Sequence, residues 1–237
     1  MSAVIKPDQP AQGINRRHLA LILVCLPLYF VLCLFLPAGT WTWAAGWLFT
    51  LVFVLASVFI FVFLWRVNPE VVIARSHRHA GTKHWDKILL WILLPSMWVI
   101  VPLAALDAGR FHWFPVPWWV CTLGYACLLA GLGMTTWAES VNKFFEVTVR
   151  IQADRGQTVI DTGPYAHVRH PGYCGAFLTS IGMALALGSL WALIPAGFTI
   201  LLLTVRTQWE DQTLQQELEG YQEYTERVRY RLIPGVW

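Results

Sequence analysis

The sequence has little charge. Only 13% of its 237 residues are Asp, Glu, Lys or Arg, whereas 57% are hydrophobic and the mean hydropathy is +0.52. Soluble domains are about 45–50% apolar, so this composition argues against an ordinary soluble domain and indicates a single integral membrane domain. The net charge of +3 is too small, and the basic residues are too scattered, to indicate binding to nucleic acid.

Cysteine and histidine offer little evidence of a metal or disulfide framework. The five cysteines are odd in number, four lie inside apolar runs, and none has C-x-x-C spacing. We interpret them as small hydrophobic residues, with Cys174 as the one candidate for a reactive thiol. His77, His79 and His84 resemble metal ligands only loosely, and we interpret them as part of a basic interfacial loop.

Several common motifs are also missing. The sequence contains no P-loop, no Rossmann glycine fingerprint, no G-x-S-x-G and no H-E-x-x-H. The first 17 residues are polar, contain proline and glycine, and show no cleavable signal sequence. We expect residues 1–17 to form a flexible tail.

Long apolar runs dominate the rest of the chain. Four of them can cross a membrane as helices: residues 19–36, 43–65, 88–106 and 118–138. A fifth run, 176–205, would reach about 45 Å as one helix, which exceeds the ~30 Å hydrocarbon core. Because Gly188 and Ser189 interrupt it, we predict a helical hairpin that turns there.

The predicted fold is therefore an all-α integral membrane protein with four transmembrane helices and a C-terminal apolar hairpin. Residues 1–17 form the tail, 18–138 the four-helix region, and 139–237 a catalytic region with a cytoplasmic cofactor pocket built from polar segments. In this topology, sixteen of the 17 Lys and Arg residues lie on one side of the membrane, with Arg110 as the exception. The positive-inside rule then predicts cytoplasmic N- and C-termini, in the inner membrane if the protein is bacterial.

One polar, turn-rich segment stands between apolar blocks. Residues 163–173 contain Gly-Pro and Pro-Gly pairs around two histidines, an arginine and two tyrosines. Composition alone permits an interfacial loop with headgroup contacts. Alternatively, Pro171 starts a helix over 172–186 whose first backbone N–H groups face an anion, with His170 as a base, a hydrogen-bond donor or a headgroup anchor.

A second polar cluster begins after the fifth apolar run, at Arg206. Arg206 and Glu210 are four residues apart and share a helix face, so the simplest interpretation is an i,i+4 ion pair at the end of a membrane helix. An ionisable residue at the membrane boundary is also a candidate site residue, and the planar guanidinium of Arg206 fits a carboxylate. If both clusters lie on the cytoplasmic face, they can form one pocket.

Together the two clusters resemble a known family. The chain reads G-P-Y-x-x-x-R-H-P-x-Y-x-G from Gly163 to Gly175, then Arg206, the acidic pair Glu210-Asp211, and a G-Y-x-x-Y…P tail from Gly220 to Pro234. This pattern, over about residues 139–237, resembles the isoprenylcysteine carboxyl methyltransferases and their bacterial phospholipid- and thiol-methyltransferase relatives. The first four spans fit the family only as generic membrane helices.

The resemblance implies binding of S-adenosylmethionine at the cytoplasmic face. It assigns the cofactor to Gln157, Thr158, Val159, Ile160, Tyr165, His170, Pro171, Gly172, Tyr173 and Glu210. Arg206 is implied near a substrate carboxylate, and we expect Arg206 and His170 to be catalytic. The expected substrate is a lipophilic or lipidated molecule entering from the bilayer, with the carboxylate of a prenylcysteine-like lipid favoured.

The sequence departs from the family pattern at two positions. Gln157 stands where the family often has histidine, and Asp211 stands where it usually has glutamate. Two other functions remain open. One is an NADPH-dependent membrane reductase of the steroid-reductase type, which has a similar apolar layout. The other is a non-catalytic scaffold or lipid-binding subunit. The R-H-P-x-Y motif combined with the Arg and acidic pair favours methyl transfer.

Overall fold

The computed structural model describes residues 16–76 and 81–237, and within these ranges its regular structure is entirely helical. The α-helices are α1 Arg16–Ala38, α2 Ala44–Val67, α3 Pro69–Arg75, α4 His84–Ala104, α5 Trp118–Val141, α6 Pro171–Ala186, α7 Leu193–Glu217 and α8 Tyr221–Arg227. A π-helical segment, Ala105–Phe111, extends α4. Of the predicted tail, residues 1–15 lie outside the described residues, and Arg16 and Arg17 belong to α1. His77, Arg78 and His79 also lie outside them.

Three helical segments are long and apolar enough to cross a membrane: Ala44–Val67, His84–Phe111 and Trp118–Val141. They correspond to the second, third and fourth predicted spans. The first predicted span lies within α1, of which Pro27–Ala38 counts as a shorter apolar helix. That span therefore stays a prediction.

Helices α5 and α6 approach each other closely because glycines line their interface. A Cβ atom at Gly131 would lie 2.5 Å from the backbone nitrogen of Thr179. One at Gly182 would lie 2.4 Å from the nitrogen of Leu128. Small residues let the backbones of membrane helices approach in this way. The contact fixes the start of α6 beside the polar end of α5.

The long apolar run 176–205 is divided between α6 and α7, with the chain turning at residues 187–192. Gly188 adopts a positive φ of +76° there, a conformation that glycine accepts without strain. The hydroxyl of Ser189 donates a 2.7 Å hydrogen bond to the buried Asp107, near the end of the segment His84–Phe111. The two helices pack against each other below this turn.

The last long helix extends beyond the apolar run. From its apolar residues α7 continues without a break to Glu217, so the polar cluster that begins at Arg206 is helical. Residues 206–217 contain no proline or glycine, and they include four Gln and two Glu, which are good helix formers. Arg206 and Glu210 are therefore carried on the same rigid helix as the apolar residues 193–205.

The C-terminal residues return to the start of α6. The backbone nitrogens of Arg169 and His170 each donate a 2.9 Å hydrogen bond, to the carbonyls of Tyr230 and Arg231 respectively. The segment 163–173 is thereby held on one side by the end of the chain and on the other by α7.

Candidate functional site

A cavity of about 340 Å³ lies at the polar end of the bundle. Its walls come from α4, the end of α5, the irregular segment 142–160, the first turns of α6, the polar half of α7 and α8. This volume lies within the range of small-molecule sites. The predicted site residues in its lining are Gln157, Thr158, Val159, Ile160, Tyr165, His170, Gly172, Tyr173, Arg206 and Glu210. Of the predicted set, only Pro171 is not among the lining residues, and it begins α6 as expected.

Glu210 presents its carboxylate to this cavity. The hydroxyl of Tyr173 donates a short hydrogen bond to Glu210 Oε2, which joins α6 to α7. The guanidinium of Arg206 lies over the Tyr173 ring, with 5.6 Å between the guanidinium carbon and the ring centroid. Within the described part of the chain, no ion pair to Glu210 is formed.

Arg206 is paired with Asp86 rather than with Glu210. Its Nε atom lies 2.8 Å from Asp86 Oδ1, and its Nη2 atom lies 3.2 Å from Oδ2 and 2.6 Å from the carbonyl of Val147. Asp86 Oδ2 also accepts a 2.7 Å hydrogen bond from the backbone nitrogen of Val149. The simple i,i+4 pairing of Arg206 with Glu210 is thus wrong, since a residue 120 positions away takes the guanidinium.

Asp86 was not among the predicted site residues, and the sequence places it in the polar stretch between the second and third predicted spans. In the structure it lies in the first turn of α4, where a carboxylate is favoured by the helix dipole, and it is completely buried. The sequence did contain a signal that could have identified Asp86. Asp86 lies two residues before the predicted span 88–106, and a similar position at a membrane boundary made Arg206 a candidate.

Asp211 is the centre of a buried network. Its two oxygens accept hydrogen bonds of 2.8 and 2.9 Å from Arg169, 2.8 Å from Arg231 and 3.1 Å from Tyr221, and lie 3.2 Å from His170 Nε2. Burial alone raises the pKa of the Asp211 carboxyl, but the hydrogen bonds from His170, Arg169 and Arg231 outweigh it, and the pKa lies well below its ordinary value. The two residues of the acidic pair therefore differ in role: Glu210 lines the cavity, and Asp211 holds the surrounding segments together.

His170 reaches the cavity but is not free. Its Nε2 atom faces Asp211, and its ring stacks on Tyr173 at a centroid distance of 5.8 Å. The carbonyl of His170 accepts hydrogen bonds from the backbone nitrogens of Tyr173 and Cys174. The sequence predicted that the first backbone N–H groups of α6 bind an anion. Two of them, those of Tyr173 and Cys174, instead donate hydrogen bonds within the protein. Cys174 is not among the lining residues, and its Sγ atom lies 3.0 Å from the Leu232 carbonyl.

The segment before α6 forms the opposite wall. The side-chain oxygen of Gln157 accepts a 2.7 Å hydrogen bond from the backbone nitrogen of Gln152, which closes the small loop between them. The hydroxyl of Tyr165 accepts a 3.0 Å hydrogen bond from Asn142. Burial raises the pKa of the Tyr165 hydroxyl well above its ordinary value, so it stays protonated.

The four arginines that line the cavity all have acidic partners. The pairs and their N···O distances are Arg75–Glu139 at 2.7 Å, Arg150–Glu146 at 2.9 Å, Arg169–Asp211 at 2.8 Å and Arg206–Asp86 at 2.8 Å. Their charges are therefore largely neutralised where they meet the cavity. Across residues 16–76 and 81–237, no cluster of His, Cys, Asp or Glu with metal-binding geometry occurs.

Comparison with known proteins agrees with this geometry. Residues 117–216 match the model of the isoprenylcysteine carboxyl methyltransferase (ICMT) family. The predicted family resemblance is confirmed. The ICMT family match begins at the start of α5 and ends within the last turn of α7, so it includes Tyr173, Arg206 and Glu210. Over these residues the chain is similar to a family of membrane methyltransferases.

One curated relative points in another direction. The Delta(14)-sterol reductase TM7SF2 of Mus musculus is 36% identical to this chain over 86 residues, which is 35% of this chain. The match spans only 20% of the length of that reductase.

Proposed function

We propose that the protein is an S-adenosylmethionine-dependent methyltransferase that acts on a lipophilic acceptor at the membrane. The observation that carries this proposal is the single cavity in which the residues implied by the family resemblance meet. It combines the segment 157–160, the start of α6 and Glu210, which come from three separate parts of the chain.

The charges of the cavity suit this cofactor. A sulfonium bears a positive charge, and Glu210 is a lining carboxylate that forms no ion pair within the described part of the chain, although the charge of Arg206 acts on it from one helical turn away. Residues 157–160 and Tyr165 would hold the cofactor on one side, with His170, Gly172 and Tyr173 on the other. When bound, the cofactor supplies an activated methyl group. The protein contributes proximity, orientation and exclusion of water.

The acceptor side of the cavity is apolar. Leu90, Leu93, Leu94 and Met97 of α4 line it, and Leu94 is 41% exposed. Because α4 lies within a segment that is apolar enough to span a membrane, this wall borders on the bilayer. This favours a lipophilic or lipidated acceptor that enters from the membrane. Sixteen of 17 basic residues on one side favour cytoplasmic termini.

The sterol reductase match makes an NADPH-dependent reductase the second candidate. NADPH carries several phosphate charges, which proteins bind with available arginines, lysines or helix N-termini. The arginines that line this cavity are paired with carboxylates, and the first N–H groups of α6 are partly used. These charges favour a sulfonium over a polyphosphate ligand.

Thermal unfolding of the detergent-purified protein distinguishes the candidates. We expect S-adenosylhomocysteine, the unreactive product, to raise the Tm and NADPH to leave it unchanged, since a ligand stabilises the state that it binds. Stabilisation by NADPH alone would support the reductase. If neither ligand raises the Tm of a well-folded sample, the scaffold or lipid-binding function takes their place.

A further inference from the structure

The Arg206–Asp86 pair bears directly on what the acceptor can be. Both side chains are almost completely buried, with 6% of Arg206 and none of Asp86 exposed. Two guanidinium nitrogens of Arg206 face the two oxygens of Asp86, so the planar groups are matched edge to edge. Two of the three nitrogens of the guanidinium that the family resemblance implies for a substrate carboxylate therefore already face a carboxylate from α4.

The surrounding cavity offers no replacement cation among the described residues. Arg75, Arg150 and Arg169 have acidic partners of their own, and Glu210 lies one turn along α7 from Arg206. A carboxylate acceptor beside Arg206 would approach Asp86 and Glu210 with the same sign of charge in a poorly solvated space. Like charges at such short range disfavour the ionised form of each group.

Resting on the proposed function, we propose that the acceptor is an uncharged lipophilic nucleophile rather than a carboxylate, and that Asp86 sets this specificity by neutralising Arg206. In this assignment, Asp86 is a positioning and specificity-determining residue. It contacts Arg206 and the 147–149 segment, but it is not itself among the residues that line the cavity.

The transfer balances without a further reactant. The lone pair of the neutral acceptor forms the new bond to the methyl carbon, and the bond from that carbon to the sulfonium sulfur breaks with its electron pair left on sulfur. The positive charge passes to the acceptor atom, which then loses its proton to the Glu210 carboxylate. A thiol suits this step because its methylated, protonated form is strongly acidic, so a carboxylate is basic enough to accept the proton.

Two probes with the same tail test the proposal by binding. The protein is reconstituted in nanodiscs and saturated with S-adenosylhomocysteine, and its Tm is followed with 1-octanethiol or with octanoate. We expect the thiol to stabilise the wild type and octanoate to have no effect up to the same concentration. Equal or stronger stabilisation by octanoate would overturn the proposal, as would stabilisation by neither probe.

Two variants separate the charge of Asp86 from its structural contacts. Asp86→Asn leaves the Arg206 charge unpaired, so we expect octanoate affinity to rise about tenfold or more. The double variant Asp86→Asn with Arg206→Gln removes both charges, and we expect it to return to the wild-type preference for the thiol. Asp161→Asn is the matched control, because Asp161 also pairs with an arginine but does not line the cavity.

A purely structural role for Asp86 predicts a different pattern. In that case both Asp86 variants lose binding of both probes, and the affinity for octanoate rises in neither variant. If Asp86→Asn does not fold, the comparison of the two probes on the wild type still decides the acceptor class. Failure of the cofactor assignment is recognisable separately, because S-adenosylhomocysteine then fails to stabilise even the wild type before any probe is added.

Discussion

Arg169 and Asp211, 42 positions apart in the sequence, are joined by two parallel hydrogen bonds of 2.8 and 2.9 Å. Both side chains are buried, and the pair links the segment before α6 to the polar half of α7. His170, which follows Arg169, and Glu210, which precedes Asp211, both line the cavity. The two polar clusters recognised in the sequence are thus connected by a structural pair that positions the residues beside it.

Replacing Asp211 with Asn should destabilise the protein strongly. The variant leaves Arg169 and Arg231 without their carboxylate, and removing one partner of a buried pair costs about 3–5 kcal/mol. Asp161→Asn is the control, since its pair with Arg227 is largely exposed and such pairs contribute about 0–1 kcal/mol. Thermal unfolding of both variants in the same detergent tests this. Equal losses in Tm would contradict a central role for Asp211.

Acid should weaken the same network. Because the folded-state pKa of Asp211 is depressed below its unfolded value of about 3.9, its contribution to stability is present at neutral pH. That contribution is lost as the pH falls below the unfolded pKa and through the folded one. We expect the Tm of the wild type to fall more steeply between about pH 5 and pH 3 than that of Asp211→Asn. Parallel pH profiles would show that Asp211 does not have the depressed pKa.

Two glycines of α5 provide a matched test of helix packing. A Cβ atom at Gly131 would lie 2.5 Å from the Thr179 backbone and 2.6 Å from the carbonyl of Gly175, whereas one at Gly133 would meet nothing within 4 Å. We expect Gly131→Ala to cost about 1–3 kcal/mol through overpacking. Gly133→Ala should be neutral or slightly stabilising, because alanine favours the helix. A similar loss for both would contradict the close α5–α6 contact.

The predicted membrane orientation can be tested by reporter fusions in a bacterial host. A fluorescent protein fused after Trp237 should fluoresce, because it folds in the cytoplasm, while alkaline phosphatase at that position should be inactive. Phosphatase inserted after Phe114, in the segment that follows the π-helix, should be active. The opposite pattern would overturn the orientation inferred from the positive-inside rule.

Three of the four predicted membrane spans correspond to helices that are long and apolar enough to cross a membrane, because such segments depend on composition. Long apolar runs with few charges must be helical in a bilayer, and this does not require knowledge of their partners. The start of α6 at Pro171 and the turn around Gly188 were also accessible, since proline and glycine have local conformational preferences. The continuation of α7 through the polar residues up to Glu217 also agrees with their helix-forming composition.

The pairing of charges could not be predicted. Arg206 could have met Glu210 by helix geometry, but it pairs with Asp86, which depends on how α4 packs against α7. Asp211 and Glu210 are adjacent and similar, yet one is buried in a network of arginines and the other faces the cavity. Such differences arise from tertiary contacts between segments that are far apart in the sequence. The cofactor assignments of residues 157–160, Tyr165 and Glu210 stay predictions, although the cavity brings them together.

The central claim is that this cavity binds S-adenosylmethionine through Glu210. Isothermal titration of the detergent-purified protein with S-adenosylhomocysteine tests it most directly, with Glu210→Gln and the exposed Glu223→Gln compared in parallel. The account predicts binding by the wild type and by Glu223→Gln, and affinity at least about tenfold weaker for Glu210→Gln, since a hydrogen bond to a charged group contributes about 1.5–3 kcal/mol. No binding by a folded wild type, or equal binding by all three proteins, would contradict it.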